Sequence, residues 1–229
     1  SGGTLRSSGA VMIHNNLTLV GNIDHTGGDD SPLVVDGHVS WRPQSHEDLP
    51  HTLTAGSMSV HTSGSLQVPD VLVVQGLLQV ESTLTVNGGS TVGGLEVLHS
   101  GVLKLNSEMQ VLGSAIVMTG GTITHDTTHE PRKTTQLVVT GSLTVAAGGF
   151  IQADEKSTYR RPSPQYRDGA AWPSHGGRGY QGDSGESNDV YGNFRAVDTL
   201  GQRNIRGGNA GRPEYNGGGL IRITAGSLA

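Results

Sequence analysis

Two short stretches of the chain put imidazoles and carboxylates at metal-ligand spacing. His46, Glu47, Asp48 and His51 fall within six residues, and His125, Asp126, His129 and Glu130 fall within another six. Both side-chain types coordinate divalent transition ions, and a loop can fold residues i and i+4 around one ion. His46, His51, His125 and His129 are therefore the candidate metal ligands. The plainer reading is that polar loops on a repeat are rich in His, Asp and Pro. Asp24, Asp29 and Asp30 surround Gly27-Gly28 and have calcium-ligand chemistry. A solvated turn is the competing reading there. The sequence calls for no cofactor beyond such a divalent metal.

A second chemistry is concentrated in residues 154–216. That stretch holds all five Tyr, eight of the twelve Arg, Trp172 and Phe194. Sugar rings stack their apolar faces on Tyr or Trp, while hydroxyls and carboxylates bind Arg and Asp. Trp172, Tyr166, Tyr180, Tyr191, Arg167 and Arg178 fit carbohydrate recognition, with His175 beside them in the turn Ser174-His175-Gly176. Alternatively, the aromatics pack a segment that is poor in aliphatic residues. Polysaccharide cleavage needs paired carboxylates, or a base beside a neutralised uronate. Asp154, Glu155, Asp168, Asp183, Glu186, Arg178 and Tyr180 are its candidates, and no one of them stands out as catalytic.

Such residues need elements to position them, and the elements repeat. Apolar and polar residues alternate through 9–153, the mark of half-buried strands. A five-residue unit recurs: small, any, apolar, any, apolar. Examples are Gly64-Ser65-Leu66-Gln67-Val68, Gly76-Leu77-Leu78-Gln79-Val80, Gly93-Gly94-Leu95-Glu96-Val97, Gly101-Val102-Leu103-Lys104-Leu105 and Gly141-Ser142-Leu143-Thr144-Val145. Their first positions form two interleaved series, at 15, 37, 56, 76, 93, 113 and 135, and at 64, 82, 101, 121 and 141. Both step by about 20 residues, which predicts a solenoid with two strands per coil and about seven coils. The fold class is all-β, a right-handed parallel β-helix. Expected inward side chains are Leu17, Leu19, Val39, Met58, Val60, Leu66, Val68, Leu78, Val80, Leu84, Val86, Leu95, Val97, Leu103, Leu105, Ile123, Leu143 and Val145. Residues 42–50 and 125–134 read as polar bulges, and 154–216 as an ordered Gly-rich excursion. Residues 217–229 return to the helix.

Composition excludes several alternatives. With 15% charged residues the chain lacks the polar faces that a helical bundle displays. A net charge of −5 gives no global attraction to nucleic acid. No run of 18 apolar residues crosses a bilayer, and zero Cys rules out disulfides.

The run Ser174-His175-Gly176-Gly177-Arg178-Gly179, followed by Tyr191-Gly192, Leu200-Gly201 and Gly217-Gly218-Gly219-Leu220-Ile221-Arg222-Ile223-Thr224, resembles Gly-rich β-helical modules of large secreted or surface proteins, adhesin-like and mostly bacterial. That resemblance implies a structural or adhesive role, polysaccharide contact and an extracellular or cell-surface location. The acidic clusters of calcium-binding nonapeptide repeats are missing. The expected partners are a glycan, together with neighbouring coils of a longer chain or end-to-end copies. Neither nucleic acid nor membrane insertion is expected. A polysaccharide lyase or hydrolase, or a phage-tailspike-like depolymerase, is the alternative.

Overall fold

A computed structural model describes residues 5–7, 9–20, 23–25, 32–42, 46–48, 52–61, 64–68, 70–126, 134–153 and 220–229. In chain order the strands begin with β1 (Leu5–Ser7), β2 (Val11–Ile13), β3 (Leu17–Val20) and β4 (Ile23–His25). Next come β5 (Leu33–Arg42), β6 (His46–Asp48), β7 (Thr52–Val60), β8 (Ser65–Val68), β9 (Val71–Val80) and β10 (Thr83–Val86). Then follow β11 (Ser90–Val97), β12 (Val102–Leu105), β13 (Glu108–Val111), β14 (Ala115–Val117) and β15 (Thr122–Thr124). The last are β16 (Thr134–Val145), β17 (Phe150–Ile151) and β18 (Leu220–Leu228). No helix occurs among the described residues.

The chain divides into two compact units. One comprises Ser1–His125, Thr134–Gln152 and Ile221–Ala229, and it is an all-β parallel solenoid of about 20 residues per turn. The other comprises Asp126–Lys133 and Ala153–Leu220. Of the latter, Asp126, Ala153 and Leu220 are among the described residues.

Each strand pairs in parallel with the strand one turn away. A six-stranded sheet runs β17-β15-β12-β10-β8-β6, so about five turns separate its ends. The ten-stranded sheet carries further rungs, with β2 and β3 pairing β5 and with β18 pairing β16. The sequence period of about 20 residues is thus the length of one turn. Fewer turns than the expected seven carry both sheets.

Each full turn contributes three inward pairs rather than two. In the turn containing β9 and β10 these are Leu72 and Val74, Leu78 and Val80, and Leu84 and Val86, all buried. The ladder sets like on like. Leu72 pairs with Leu53, Val74 with Ala55, Leu78 with Leu95, Val80 with Val97, Leu84 with Leu103, and Val86 with Leu105. Rungs lie about 4.8 Å apart, so each side chain packs on the one above and the one below. Burying one Leu or Val in this way contributes about 1.5–3 kcal/mol. A single turn leaves both of its apolar layers open, which is why stacking supplies the core.

The long strands bend where β-carbons cannot fit. The ladder slips between Val35 and His38, between Ala55 and Met58, and between Val92 and Gly94. At these corners Gly37, Gly56, Gly76, Gly93, Gly113, Gly141 and Gly226 form a column. A β-carbon on Gly113 would lie 2.6 Å from the Gly93 carbonyl oxygen, and one on Gly141 2.7 Å from that of Gly113. Only glycine lets successive backbones approach so closely.

This column corrects the sequence register. Position 141 was expected in the second series, with the first continuing at 135. Instead Gly141 donates its N–H to the Gly113 carbonyl at 2.9 Å, so it continues the first series. The second series passes from 121 to 149, where the Phe150 N–H donates to the Gly121 carbonyl. The extra residues around 127–133 lengthen this turn and defeat a strict count. Three β-turns stack on that second edge. The N–H groups of Gly101, Gly121 and Gly149 donate to the carbonyls of Leu98, Met118 and Ala146. The third residue of each turn is left-handed: Ser100 at φ 66°, Gly120 at 78° and Gly148 at 80°.

Of the expected inward residues, all but three are fully buried. Leu17 and Leu19 pack against the core while only partly buried. Val145 is 37% exposed. Ala229 donates to the Leu143 carbonyl and accepts from the Val145 N–H, so β18 sets no side chain over Val145. The stretch 42–50 is not simply a bulge, because β6 pairs His46 with Ser65, Glu47 with Leu66 and Asp48 with Gln67.

Candidate functional site

The outward positions of β5, β7, β9 and β11 carry a polar row, because alternation in each strand leaves every second residue outside. Ser40 pairs with Ser59, Ser59 with Gln79, and Gln79 with Glu96. The Ser59 hydroxyl donates to Gln79 Oε1 at 3.1 Å, and Gln79 Nε2 donates to Glu96 Oε2 at 2.8 Å. Ser59 is itself buried beneath these neighbours.

A second row begins one residue past the strand ends. The His61 N–H donates to the Trp41 carbonyl and the Glu81 N–H to the Val60 carbonyl, each at 2.8 Å. These bonds extend the ladder and hold the two side chains on adjacent rungs. His61 Nδ1 lies 3.1 Å from Glu81 Oε2. His61 Nε2 lies 3.1 Å from Ser40 Oγ, one rung to the other side. An ionised carboxylate only accepts hydrogen bonds, so a neutral His61 carries its proton on Nδ1. Nε2 is then the acceptor, and the Ser40 hydroxyl donates to it. The His61 side chain is 27% exposed and that of Glu81 36%, so both are partly withdrawn from water.

Other histidines also bridge rungs, with different partners. His14 Nδ1 meets Asp36 Oδ2 at 3.0 Å, with the two side chains 74% and 55% exposed. His38 Nδ1 lies 2.8 Å from Ser57 Oγ, and His99 Nδ1 lies 3.1 Å from the Thr119 carbonyl oxygen. Among the described residues, hydroxyl, imidazole and carboxylate are joined in sequence only at Ser40, His61 and Glu81.

The metal candidates are dispersed. His46 belongs to β6, whereas His51 and His129 lie outside the described residues. His125 is not in an outward loop. It is 1% exposed, because alternation continues one residue past β15 and turns it inward beside the buried Thr124. Lys104 pairs with Thr124, and the same register sets His125 level with Leu105. Among the described residues no group of three or more His, Asp or Glu could hold a metal. Asp24 belongs to β4, and Asp29 and Asp30 lie outside the described residues.

Trp172, Tyr166, Tyr180, Tyr191, Arg167, Arg178 and His175 all lie outside the described residues, as do Asp154, Glu155, Asp168, Asp183 and Glu186. Sequence reasoning missed the Ser40–His61–Glu81 set. The signal was available, since the three are spaced by 21 and 20 residues, one turn each. Polar residues on the outer face do not repeat in type, so the apolar pattern alone does not draw attention to them.

No protein-family model, curated protein or solved structure matches the chain.

Proposed function

We propose that this solenoid is a rigid structural segment of a large extracellular or surface protein that displays loops for adhesion, with carbohydrate as the ligand. One observation carries the reading. β17 ends at Ile151 and β18 begins at Leu220, and both pair with solenoid strands, β15 and β16. The 68 residues between them (152–219) are therefore tethered at both ends to regular strands. Binding residues concentrate in loops carried by rigid scaffolds. The Tyr, Trp and Arg content of this segment supplies stacking surfaces and charge-assisted donors for sugars.

The test is binding of the chain to an acidic and a neutral polysaccharide, with Trp172→Ala, Tyr180→Ala and Arg178→Ala measured alongside. Each variant should weaken binding by about 1–3 kcal/mol with an unchanged circular dichroism spectrum. Equal affinity in all four proteins, or none in the parent, would leave a purely structural role. Release of reducing ends in the same mixtures would instead favour a depolymerase.

A further inference from the structure

We propose that Ser40 is a base-activated nucleophile that accepts acyl groups from small esters, with His61 as its general base and Glu81 as the residue that positions the imidazole. The geometry has the required direction. Glu81 Oε2 holds the Nδ1 side of the ring at 3.1 Å, and Nε2 faces Ser40 Oγ at 3.1 Å. A nucleophile bonded to a base, which a third group orients, is the arrangement that makes a hydroxyl reactive.

The scaffold fixes this arrangement without a loop. Ser40 sits within β5, while His61 and Glu81 are held by ladder bonds to Trp41 and Val60. Trp41, Val60 and Val80, the inward neighbours of all three, are fully buried. The backbone beneath the site is therefore anchored by the core. Arg42 follows Ser40 by two residues in β5, so both occupy the same face, and Arg42 is exposed. Its guanidinium is the cation nearest in sequence to the point where negative charge would develop on a bound carbonyl. Backbone N–H groups within the strands are engaged in the ladder, so the oxyanion is not met by a paired-amide hole. Rapid turnover is accordingly not expected. Acylation by activated esters is.

The step balances as follows. Ser40 Oγ attacks the ester carbonyl carbon while its proton passes to His61 Nε2. The carbon–oxygen bond to the leaving group breaks, and that oxygen takes the proton from Nε2. Acyl-Ser40 remains. Water then attacks the same carbon, again losing its proton to Nε2, and the Ser40 oxygen recovers that proton as the acid departs.

The experiment uses the full chain with p-nitrophenyl acetate, followed by an acid quench and peptide mass spectrometry. Acetyl is expected on Ser40, with a matching burst of nitrophenolate. Ser40→Ala removes one outward oxygen and should abolish the burst with an unchanged circular dichroism spectrum. His61→Gln should slow acylation of Ser40 by about 100-fold or more, the scale of a lost general base. Glu81→Gln should slow it less, and His38→Gln, at the unrelated Ser57 bridge, should leave it unchanged. Nitrophenolate release that leaves no acetyl on Ser40 would mean that surface imidazoles alone react, and would overturn the proposal. So would an acylation rate unaffected by His61→Gln in a folded protein.

Discussion

Alternate residues of β9 obey different rules, and the contrast between the inside and the outside of the solenoid explains most of its behaviour. Inward, Leu78 and Val80 lie between Met58 and Leu95 and between Val60 and Val97, and all six are buried. Outward, Gln79 links Ser59 to Glu96 through side-chain hydrogen bonds. The inner stacks repeat a residue class because the volume between rungs is fixed and dry. The outer rows need only polar complementarity, and chemistry is free to vary there. A set such as Ser40, His61 and Glu81 can therefore assemble outside without disturbing the core.

The largest expected effect tests that boundary. Val80→Asp puts an unpaired carboxylate between Val60 and Val97, and chemical denaturation should show a loss of about 3–5 kcal/mol. Gln79→Asp, one residue away, loses its donor to Glu96 and sets two acids on adjacent rungs. Its cost should be about 1 kcal/mol or less. Equal losses in the two proteins would put the register wrong by one residue.

Adjacent glycines supply the next contrast. A β-carbon at Gly93 would collide with the carbonyl oxygens of Gln75 and Gly76. One at Gly94 would meet Leu77 Cδ1 at 3.4 Å, an ordinary contact. Gly93→Ala should therefore lower stability by about 1–3 kcal/mol. Gly94→Ala should be neutral, or raise it by about 0.4–1 kcal/mol through the unfolded chain. Thermal midpoints that fall equally would show that the corner column is not what limits rung approach.

Ser90 is a defect on the inner side. It occupies the position between Leu72 and Met109, is 6% exposed, and its hydroxyl is buried with no hydrogen-bond partner. Ser90→Ala should stabilise by about 1 kcal/mol, since it removes an unsatisfied group and leaves a small side chain in place. A loss of stability would mean that the hydroxyl is bonded after all.

Ser100 is the smallest case and belongs to the outer edge. It adopts φ 66° where the two turns stacked above it use glycine. Relief of about 1–2 kcal/mol of left-handed strain is set against about 0.5–1 kcal/mol of added chain entropy. Ser100→Gly should therefore raise stability by about 0.5 kcal/mol in denaturant titrations. A decrease would show that the Ser100 side chain makes a contact worth more than the strain.

Legibility in the sequence followed from how strictly each position is constrained. The second and third inward pairs of each turn, such as Leu78 with Val80 and Leu84 with Val86, sit after a small residue and alternate cleanly. They were readable. The first pair, such as Leu72 with Val74, shares the alternation but has no small residue before it, and it was missed. His125 was misplaced because a polar residue beside a loop ordinarily faces water. Here the alternation of β15 outruns the strand and turns it inward. Val145 was misplaced for the opposite reason, as an apolar residue in phase over which β18 sets no side chain.

The sequence by itself determined the period, the parallel solenoid and most of the inner surface. Those follow from alternation and glycine spacing, which are local and recur every turn. Only the tertiary structure decided that Gly141 continues the column of Gly113, and that Ser40, His61 and Glu81 meet. Both depend on how many residues each turn consumes before the chain returns to the same edge. The turns of this chain are not equal, so a count along the sequence drifts, whereas hydrogen bonding between rungs fixes the register.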